Sequence, residues 1–315
     1  MSSRRGIPTR AADRANTCLS MEMEYIGAMH NFGKVLGQRG RLTVRECNTC
    51  GFAHLVKRPG DKYLEAFYAD RFWQKEKEGA PAKIELQLDW WRAIWGDWLN
   101  ELAPLCQGNT LMDFGAGFGH FVALARERGW AAEGLEPSPA ARIYARERLG
   151  VGLSPAMAST WLKNGTDVDA SAAMWLLEHL RDPLRFLREL SFHASALLLV
   201  VPNEWTKAQQ LANERAAKPY WWIDHTHINY FTKESLGQLL EKAGWEAVSW
   251  MATYQVEDAI IAGHDYTDDP SVGDRIGAGI RTAELEMPAD MRRGLYHRRG
   301  QYGTGRDLIV IARSR

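Results

Sequence analysis

Residues 110–119, Thr-Leu-Met-Asp-Phe-Gly-Ala-Gly-Phe-Gly, place an acid, Asp113, at the end of a short apolar run. Three alternating glycines follow: Gly115, Gly117 and Gly119. Phe121, Leu124, Ala125 and Arg128 then take the spacing of one helical face. A strand that turns into a helix through glycines presents backbone N–H groups to a ligand. The spacing narrows that ligand. A dinucleotide site uses G-x-G-x-x-G and sets pyrophosphate on the helix N-terminus. Here the pattern is G-x-G-x-G behind a carboxylate, which repels pyrophosphate and suits an ammonium or sulfonium group. No Gly-Lys-Ser/Thr follows, so the turn is not a P-loop. An ordinary strand–helix turn is the competing reading.

One βα unit later, the run Ala131–Leu135 ends at a second acid, Glu136, ahead of Pro137-Ser138-Pro139. An acid at this strand tip can accept hydrogen bonds from the two hydroxyls of a ribose. It can equally cap the helix that starts near Ser138. Its pairing with the glycine turn favours the ribose.

The segments LMDFGAGFGHF (111–121), EGLEPSPAAR (133–142), WLLEHLRDP (175–183), LLLVVPNEW (197–205) and DHTHINYFTKESLGQLLEKAGW (224–245) together resemble the S-adenosylmethionine-dependent methyltransferases with a Rossmann-like fold. The resemblance covers roughly residues 60 to 315. It is strongest to a bacterial subgroup whose members often carry an N-terminal zinc ribbon and many of which are presumed to act on sugars or other small molecules. The EHL-x-DP and PN segments also resemble the ubiquinone-type O-methyltransferases. The implied fold is α/β: a seven-stranded sheet with helices on both faces, a small ribbon-like N-terminal region and a helical lid. Strands are expected near 110–114, 131–135, 152–157, 169–175, 195–201, 246–254 and 307–313, the last antiparallel. S-Adenosylmethionine is the implied cofactor, with Asp113 and Gly115 near its amino acid portion, Gly117 and Gly119 in the floor beneath it, and Glu136 on its ribose. Met174 and Trp175 should flank the adenine or the methyl end, and Tyr68 and Trp73 should lie over the methionine end.

The chain divides into a ribbon-like region (1–60), a helical lid (61–107) and a catalytic domain (108–315) with insertions at 203–231 and 255–305. Residues 1–60 read as irregular and basic, with ten Lys and Arg against four Asp and Glu; the bias marks a solvated surface or attraction of an anionic acceptor. Leu88, Trp91, Trp95, Trp98 and Leu102 form one apolar face, read as core. The insertion at 255–305 is read as a cover over the acceptor or an oligomer contact. The whole chain balances 39 basic and 39 acidic residues, which gives no global pull toward nucleic acid. The longest apolar runs are strand-length, so no membrane span is expected. The N-terminus lacks the apolar core of a secretory signal, and four cysteines suit a reducing cytoplasm, the expected location.

Cys47 and Cys50 form half a zinc ribbon, and tetrahedral closure needs two more ligands. Cys18 stands alone with Met21 where its partner would be, and His30 is nearer. Either a Cys/Cys/Cys/His zinc site or a ribbon that keeps its shape by packing follows. Cys106 reads as a buried small hydrophobe.

The catalytic candidates are His179, His227 and Tyr230, with His225 a weaker one. His179 follows the fourth strand, where acceptors bind in this fold, and histidine titrates near neutrality. It can serve as base or order its loop; His227 can serve as base or anchor the insertion. Trp205, Tyr220, Trp221 and Trp222 can stack on a ring or pack as core. The reading is methyl transfer to a small-molecule acceptor, a hydroxyl or carbon of a sugar-like or secondary metabolite. The alternatives are RNA methylation, disfavoured by neutral charge and the lack of an N/D-P-P-Y/F motif, and an inactive S-adenosylmethionine-binding partner protein.

Overall fold

The run Leu197-Leu198-Leu199-Val200-Val201 is apolar on both faces, and each of its side chains is fully buried. Such a run belongs in the middle of a sheet covered on both sides, and it lies there in the computed structural model of the chain. The structure describes residues 23–26, 30–72, 79–218 and 223–315. Trp73, Cys18, Met21, Tyr220, Trp221 and Trp222 lie outside the described residues.

The N-terminal strands are β1 (Met23–Tyr25), β2 (Phe32–Arg39), β3 (Leu42–Cys47), β4 (Ala53–Leu55) and β5 (Lys57–Pro59). Helices α1 (Asp61–Asp70), α2 (Ala80–Leu86) and α3 (Leu88–Leu102) follow. The α/β core runs β6 (Thr110–Phe114), α4 (His120–Glu127), β7 (Ala131–Leu135), α5 (Pro139–Leu149), α6 (Ala158–Asn164), β8 (Val168–Met174), α7 (Pro183–Leu190) and β9 (Ala194–Pro202). Beyond it come α8 (Lys207–Arg215), β10 (Asn229–Tyr230), α9 (Lys233–Lys242), β11 (Trp245–Ala252), α10 (Glu257–Ile261), α11 (Pro270–Glu286), α12 (Ala289–Tyr302) and β12 (Asp307–Ser314).

The main sheet has the order β11-β12-β9-β8-β6-β7, with β12 antiparallel to both neighbours. Among the described residues the sheet has six strands where seven were expected. The segment 152–157 forms only one parallel bridge, Leu135 to Ser154. Its sequence, Gly-Leu-Ser-Pro-Ala-Met, explains this: Pro155 cannot donate to a ladder. Successive residues of β9 alternate between two apolar layers. Leu197 and Leu199 face Leu187 and Leu190 of α7 and Leu236 and Leu239 of α9. Leu198 and Val200 face the layer holding Trp95, Trp98 and Leu99 of α3 and Phe121 and Val122 of α4. Gly134 lets β7 approach the glycine turn closely, since a Cβ there would stand 2.7 Å from that of Ala116.

Two expectations are corrected. Residues 32–59, read as irregular, form paired strands, because β2 and β3 can close a hairpin across Gly40 with its φ of +57°. Their four-stranded sheet, β10-β4-β3-β2, is completed from the other end of the chain, where Asn229 and Tyr230 pair with His54 and Ala53. The segment 255–305 is helical and does not cover the cavity described below. It turns its buried polar side chains toward α3: Arg292 donates to Asp97 at 2.8 and 2.9 Å, and Trp90 and Tyr296 both donate to Glu284. Removing one partner of a buried ion pair leaves the other uncompensated. Arg292→Ala should therefore lower stability by about 3 kcal/mol, Arg293 at 3.4 Å offsetting part of the loss; urea unfolding at constant m-value checks it. Cys106 is half-buried rather than buried, with its thiol 3.6 Å from the Leu102 and Asp169 carbonyls.

Candidate active site

The order of strands reverses around β6, whose neighbours β7 and β8 lie on opposite sides. Crevices beyond the carboxyl ends of strands at such a point hold ligands. A cavity of about 770 Å³ opens there, within the ~300–1,000 Å³ common for small-molecule sites.

The glycine turn forms one end. Gly115, Gly117 and Gly119 have φ of +77°, +52° and +79°, where a side chain would be strained. Their amides are not displayed to a ligand, contrary to the expectation from the motif. Gly115 and Ala116 both donate to the Leu135 carbonyl, Gly117 donates to Glu136, and Gly119 donates to the Ala116 carbonyl. These four amides are therefore spent within the fold, and the side-chain-free glycines leave an open floor. Gly115 and Gly117 line the cavity; Gly119 does not, and instead starts α4 against Ala145.

Asp113 and Glu136 stand beside this floor. Both carboxylate oxygens of Asp113 are buried without a hydrogen-bond partner. Burial first, and the neighbouring Glu136 second, push its pKa up to about 8. An unpaired buried carboxyl is costly unless a cation or donor reaches it. Glu136 is held by two amides, Gly117 N–H on Oε2 and Ser138 N–H on Oε1, each at 2.9 Å. Glu136 thus ties the glycine turn to the loop ahead of α5 rather than bonding a first-turn amide of that helix, and its carboxylate lines the cavity and retains acceptor capacity.

Met174 and Trp175 form the middle of the wall. Trp175 has φ of +51°, a conformation a bulky residue rarely takes. Its ring N–H donates to Asp307 at 3.0 Å and its backbone N–H to Val200 at 2.8 Å, which hold it there.

A further part of the wall is built by a short 3-10 turn at Leu177–His179 together with residues 224–227. Asp224 Oδ1 accepts from the Thr226 and His227 backbone N–H groups and from the Thr226 hydroxyl, at 2.6–2.9 Å, so the segment is rigidly turned. His179 Nδ1 lies 2.8 Å from both the Thr226 carbonyl and the Tyr68 hydroxyl. A carbonyl only accepts, so Nδ1 carries the hydrogen and Nε2 of the neutral ring holds the lone pair. That Nε2 is 3.9 Å from Glu178 Oε1. His227 meets the His179 ring edge-on at 4.9 Å. Glu178 is buried, and burial pushes its pKa up to about 8.

The cavity therefore brings together Asp113, Gly115, Gly117, Glu136, Met174, Trp175, Tyr68, His179, His225 and His227. Tyr68 stands at His179 rather than over the glycine turn. Tyr230 is not in the cavity wall; it packs in the apolar cluster with Val44 and Leu55, near Trp205. Glu178 and Asp224 were not singled out from the sequence. Glu178 directly precedes the histidine that was, a signal that could have found it.

Cys47 and Cys50 lie at the β3–β4 turn, far from Cys106 in sequence and joined by His30 and His54. Burial and then Cys47 push the Cys50 thiol up to about 12; burial and then Arg58 hold His54 down at about 3. His54 lies only four residues beyond Cys50, a ligand-like spacing passed over in the sequence.

A β6 glycine turn flanked by two acids, at the switch point of a sheet with one antiparallel strand, agrees with the Rossmann-like S-adenosylmethionine-dependent methyltransferases that the sequence motifs resemble. A family model described as "Methyltransferase domain" matches residues 88–249, over half of the chain. The chain belongs to that family. Among solved structures, magnesium protoporphyrin IX methyltransferase from Synechocystis PCC 6803, with bound SAH, has a TM-score of 0.50 at 12% identity, over 81% of this chain and 100% of that one. A methyltransferase from Archaeoglobus fulgidus has a TM-score of 0.45 at 15% identity, over 81% and 100%. Mitomycin 7-O-methyltransferase has a TM-score of 0.43 at 17% identity, over 78% of this chain; the chain spans 60% of its length. These likenesses concern the fold. No curated protein matches the chain. No helix among the described residues is long and apolar enough to cross a membrane.

Proposed function

We propose that the protein transfers a methyl group from S-adenosylmethionine to a hydroxyl, or an acidic carbon, of a small ring-bearing molecule. The observation that carries this reading is one cavity lined by both an unpaired buried acid at the glycine turn and an acid–imidazole pair. The first end fits the donor: Asp113 has two orphaned oxygens that suit a cationic group and oppose a pyrophosphate. When bound, S-adenosylmethionine supplies a methyl group on a sulfonium, already a strong electrophile. Glu136 would accept from the ribose hydroxyls, and Met174 and Trp175 would line the path between donor and acceptor.

His179 would take the acceptor's proton at Nε2. Its Nδ1–H, shared between the Thr226 carbonyl and the Tyr68 oxygen, holds the ring in that tautomer. Glu178, whose Oε1 lies 3.9 Å from Nε2, would stabilise the resulting imidazolium in its carboxylate form. His227 would hydrogen-bond the acceptor beside it. Phe67, Tyr68 and Phe72 supply an aromatic wall that excludes water and suits a planar or ring-bearing acceptor. Alignment of this kind can contribute about 7–11 kcal/mol.

Calorimetry with S-adenosylmethionine and S-adenosylhomocysteine tests the reading; binding by neither would overturn it. A pH series adds detail. A cationic amino group on Asp113 lowers its pKa, so binding expels a proton wherever the ligand-free acid is protonated. Affinity should therefore rise with pH, by up to about tenfold per unit, and level off near the ligand-free value of about 8. Asp113→Asn should bind weakly with a flat profile. A wild-type affinity independent of pH between 6 and 8 (roughly the window the linkage sets) would show that Asp113 does not meet the ligand's charge.

A further inference from the structure

His30, Cys47, Cys50 and His54 each offer one ligand atom, and these atoms all lie within 4.8 Å of one another. His30 Nδ1 is 3.4 Å from Cys47 Sγ and 3.3 Å from Cys50 Sγ. A tetrahedral zinc with ordinary Zn–S and Zn–N bonds puts neighbouring sulfur and nitrogen ligands about 3.5 Å apart. The other His54 nitrogen, Nδ1, rests on the Leu55 carbonyl at 3.3 Å, and Nε2 is buried without a partner. The Cys50 amide points at Cys47 Sγ from 3.4 Å, the donor a thiolate calls for, and Gly51 turns the loop with φ of +86°. These four residues fit the metal that the ribbon resemblance implies, with His30 and His54 supplying the two ligands that Cys47 and Cys50 lack.

We propose that His30, Cys47, Cys50 and His54 bind one zinc ion in a tetrahedral Cys2His2 site, and that this ion positions the acceptor wall. Two thiolates and two neutral imidazoles select zinc among divalent ions by softness and geometry. The positioning runs through short contacts. His54 sits opposite Asn229 in the β4–β10 pair, and Leu55 N–H donates to the Ile228 carbonyl at 3.0 Å. Ile228 N–H donates in turn to the Glu178 carbonyl at 2.8 Å. The Asn229 side chain donates to the carbonyls of Leu177 and Leu180 at 2.9 and 2.6 Å. The turn that carries Glu178 and His179 is thereby tied to a strand bearing a metal ligand. The metal assignment stands independently of the proposed activity; the consequence for the acceptor wall rests on that reading of the cavity.

The full chain, purified without a metal-affinity tag, should carry one zinc per molecule by plasma mass spectrometry. Chelated protein should take up one cobalt(II) and show the visible bands of tetrahedral cobalt with thiolate charge transfer. His54→Ala should lose that spectrum or its stoichiometry. If that variant does not fold, cobalt titration of chelated wild-type protein decides alone. A chain without zinc that also gives no tetrahedral cobalt spectrum would overturn the site. Hydrogen exchange should quicken at Ile228 and Asn229 by about tenfold or more on metal removal, as a local support is lost; unchanged exchange there would overturn the positioning role. S-Adenosylhomocysteine should bind the zinc-free protein with wild-type affinity, because the donor end shares no residue with the cluster. Its failure to bind zinc-loaded protein would strike the donor reading and leave the metal site intact.

Discussion

Glu136→Ala should weaken S-adenosylhomocysteine binding about a hundredfold. Two hydrogen bonds from ribose hydroxyls to an ionised acceptor are each worth about 1.5–3 kcal/mol, and one such loss at mid-range, plus part of the second, gives this size. The same substitution has a second cost. Gly117 and Ser138 would lose the carboxylate that both amides donate to, and each buried amide left without a partner costs about 1–3 kcal/mol. Thermal unfolding should therefore fall together with affinity. Glu136→Gln separates the two effects: its carbonyl oxygen keeps one amide and one ribose contact, so stability should be partly restored while affinity remains reduced. Calorimetric affinity and the unfolding midpoint are to be read on the same preparations. Wild-type affinity in Glu136→Ala would mean that the acid serves the turn alone.

His179→Ala should reduce the turnover of methyl transfer by about 10²–10⁴-fold, the usual contribution of a positioned general base. Donor affinity should stay unchanged, because in this reading Asp113 and Glu136 hold the donor and His179 meets the acceptor. The measurement is transfer of isotopically labelled methyl from the donor to a panel of hydroxylated ring compounds, with donor affinity measured in parallel. A base role also predicts the pH profile of the wild-type enzyme: activity should rise as the imidazole loses its proton. Glu178→Gln should move that limb to lower pH, since the carboxylate that forms beside the imidazolium stabilises the charged ring. Loss of donor binding in His179→Ala would instead assign the residue to ordering of the 177–180 turn. Tyr68→Phe retains the ring packing and removes the hydroxyl from Nδ1, so it should cost far less than loss of the imidazole, the Thr226 carbonyl still fixing the tautomer.

The metal cluster and the cavity share a feature: each joins segments far apart in the chain. His54 and Asn229 are neighbours in a sheet, and Tyr68 and His179 share a hydrogen bond. The 224–230 segment is the common element. It supplies a strand to the N-terminal sheet, turns on Asp224, and places His225 and His227 in the cavity wall. A change in the N-terminal region can thus reach the reacting end of the cavity without touching the donor end.

Local patterning alone determined the α/β class, most of the strands of the main sheet, the glycine turn and the two acids behind it. Strand periods, the alternating glycines and an acid at a strand tip are properties of a few consecutive residues, so they are visible in one dimension. Residue spacing could not decide where Tyr68 and Tyr230 would point, because aromatic side chains serve core and cavity equally well. It could not show that Gly115, Ala116 and Gly117 give their amides to Leu135 and Glu136, which required the close approach of β7. Completion of the His30–Cys47–Cys50–His54 set depended on the pairing of β2, β3 and β4. Those outcomes belong to the tertiary structure because each is a contact between distant segments, whose energy depends on which surfaces meet rather than on any local propensity.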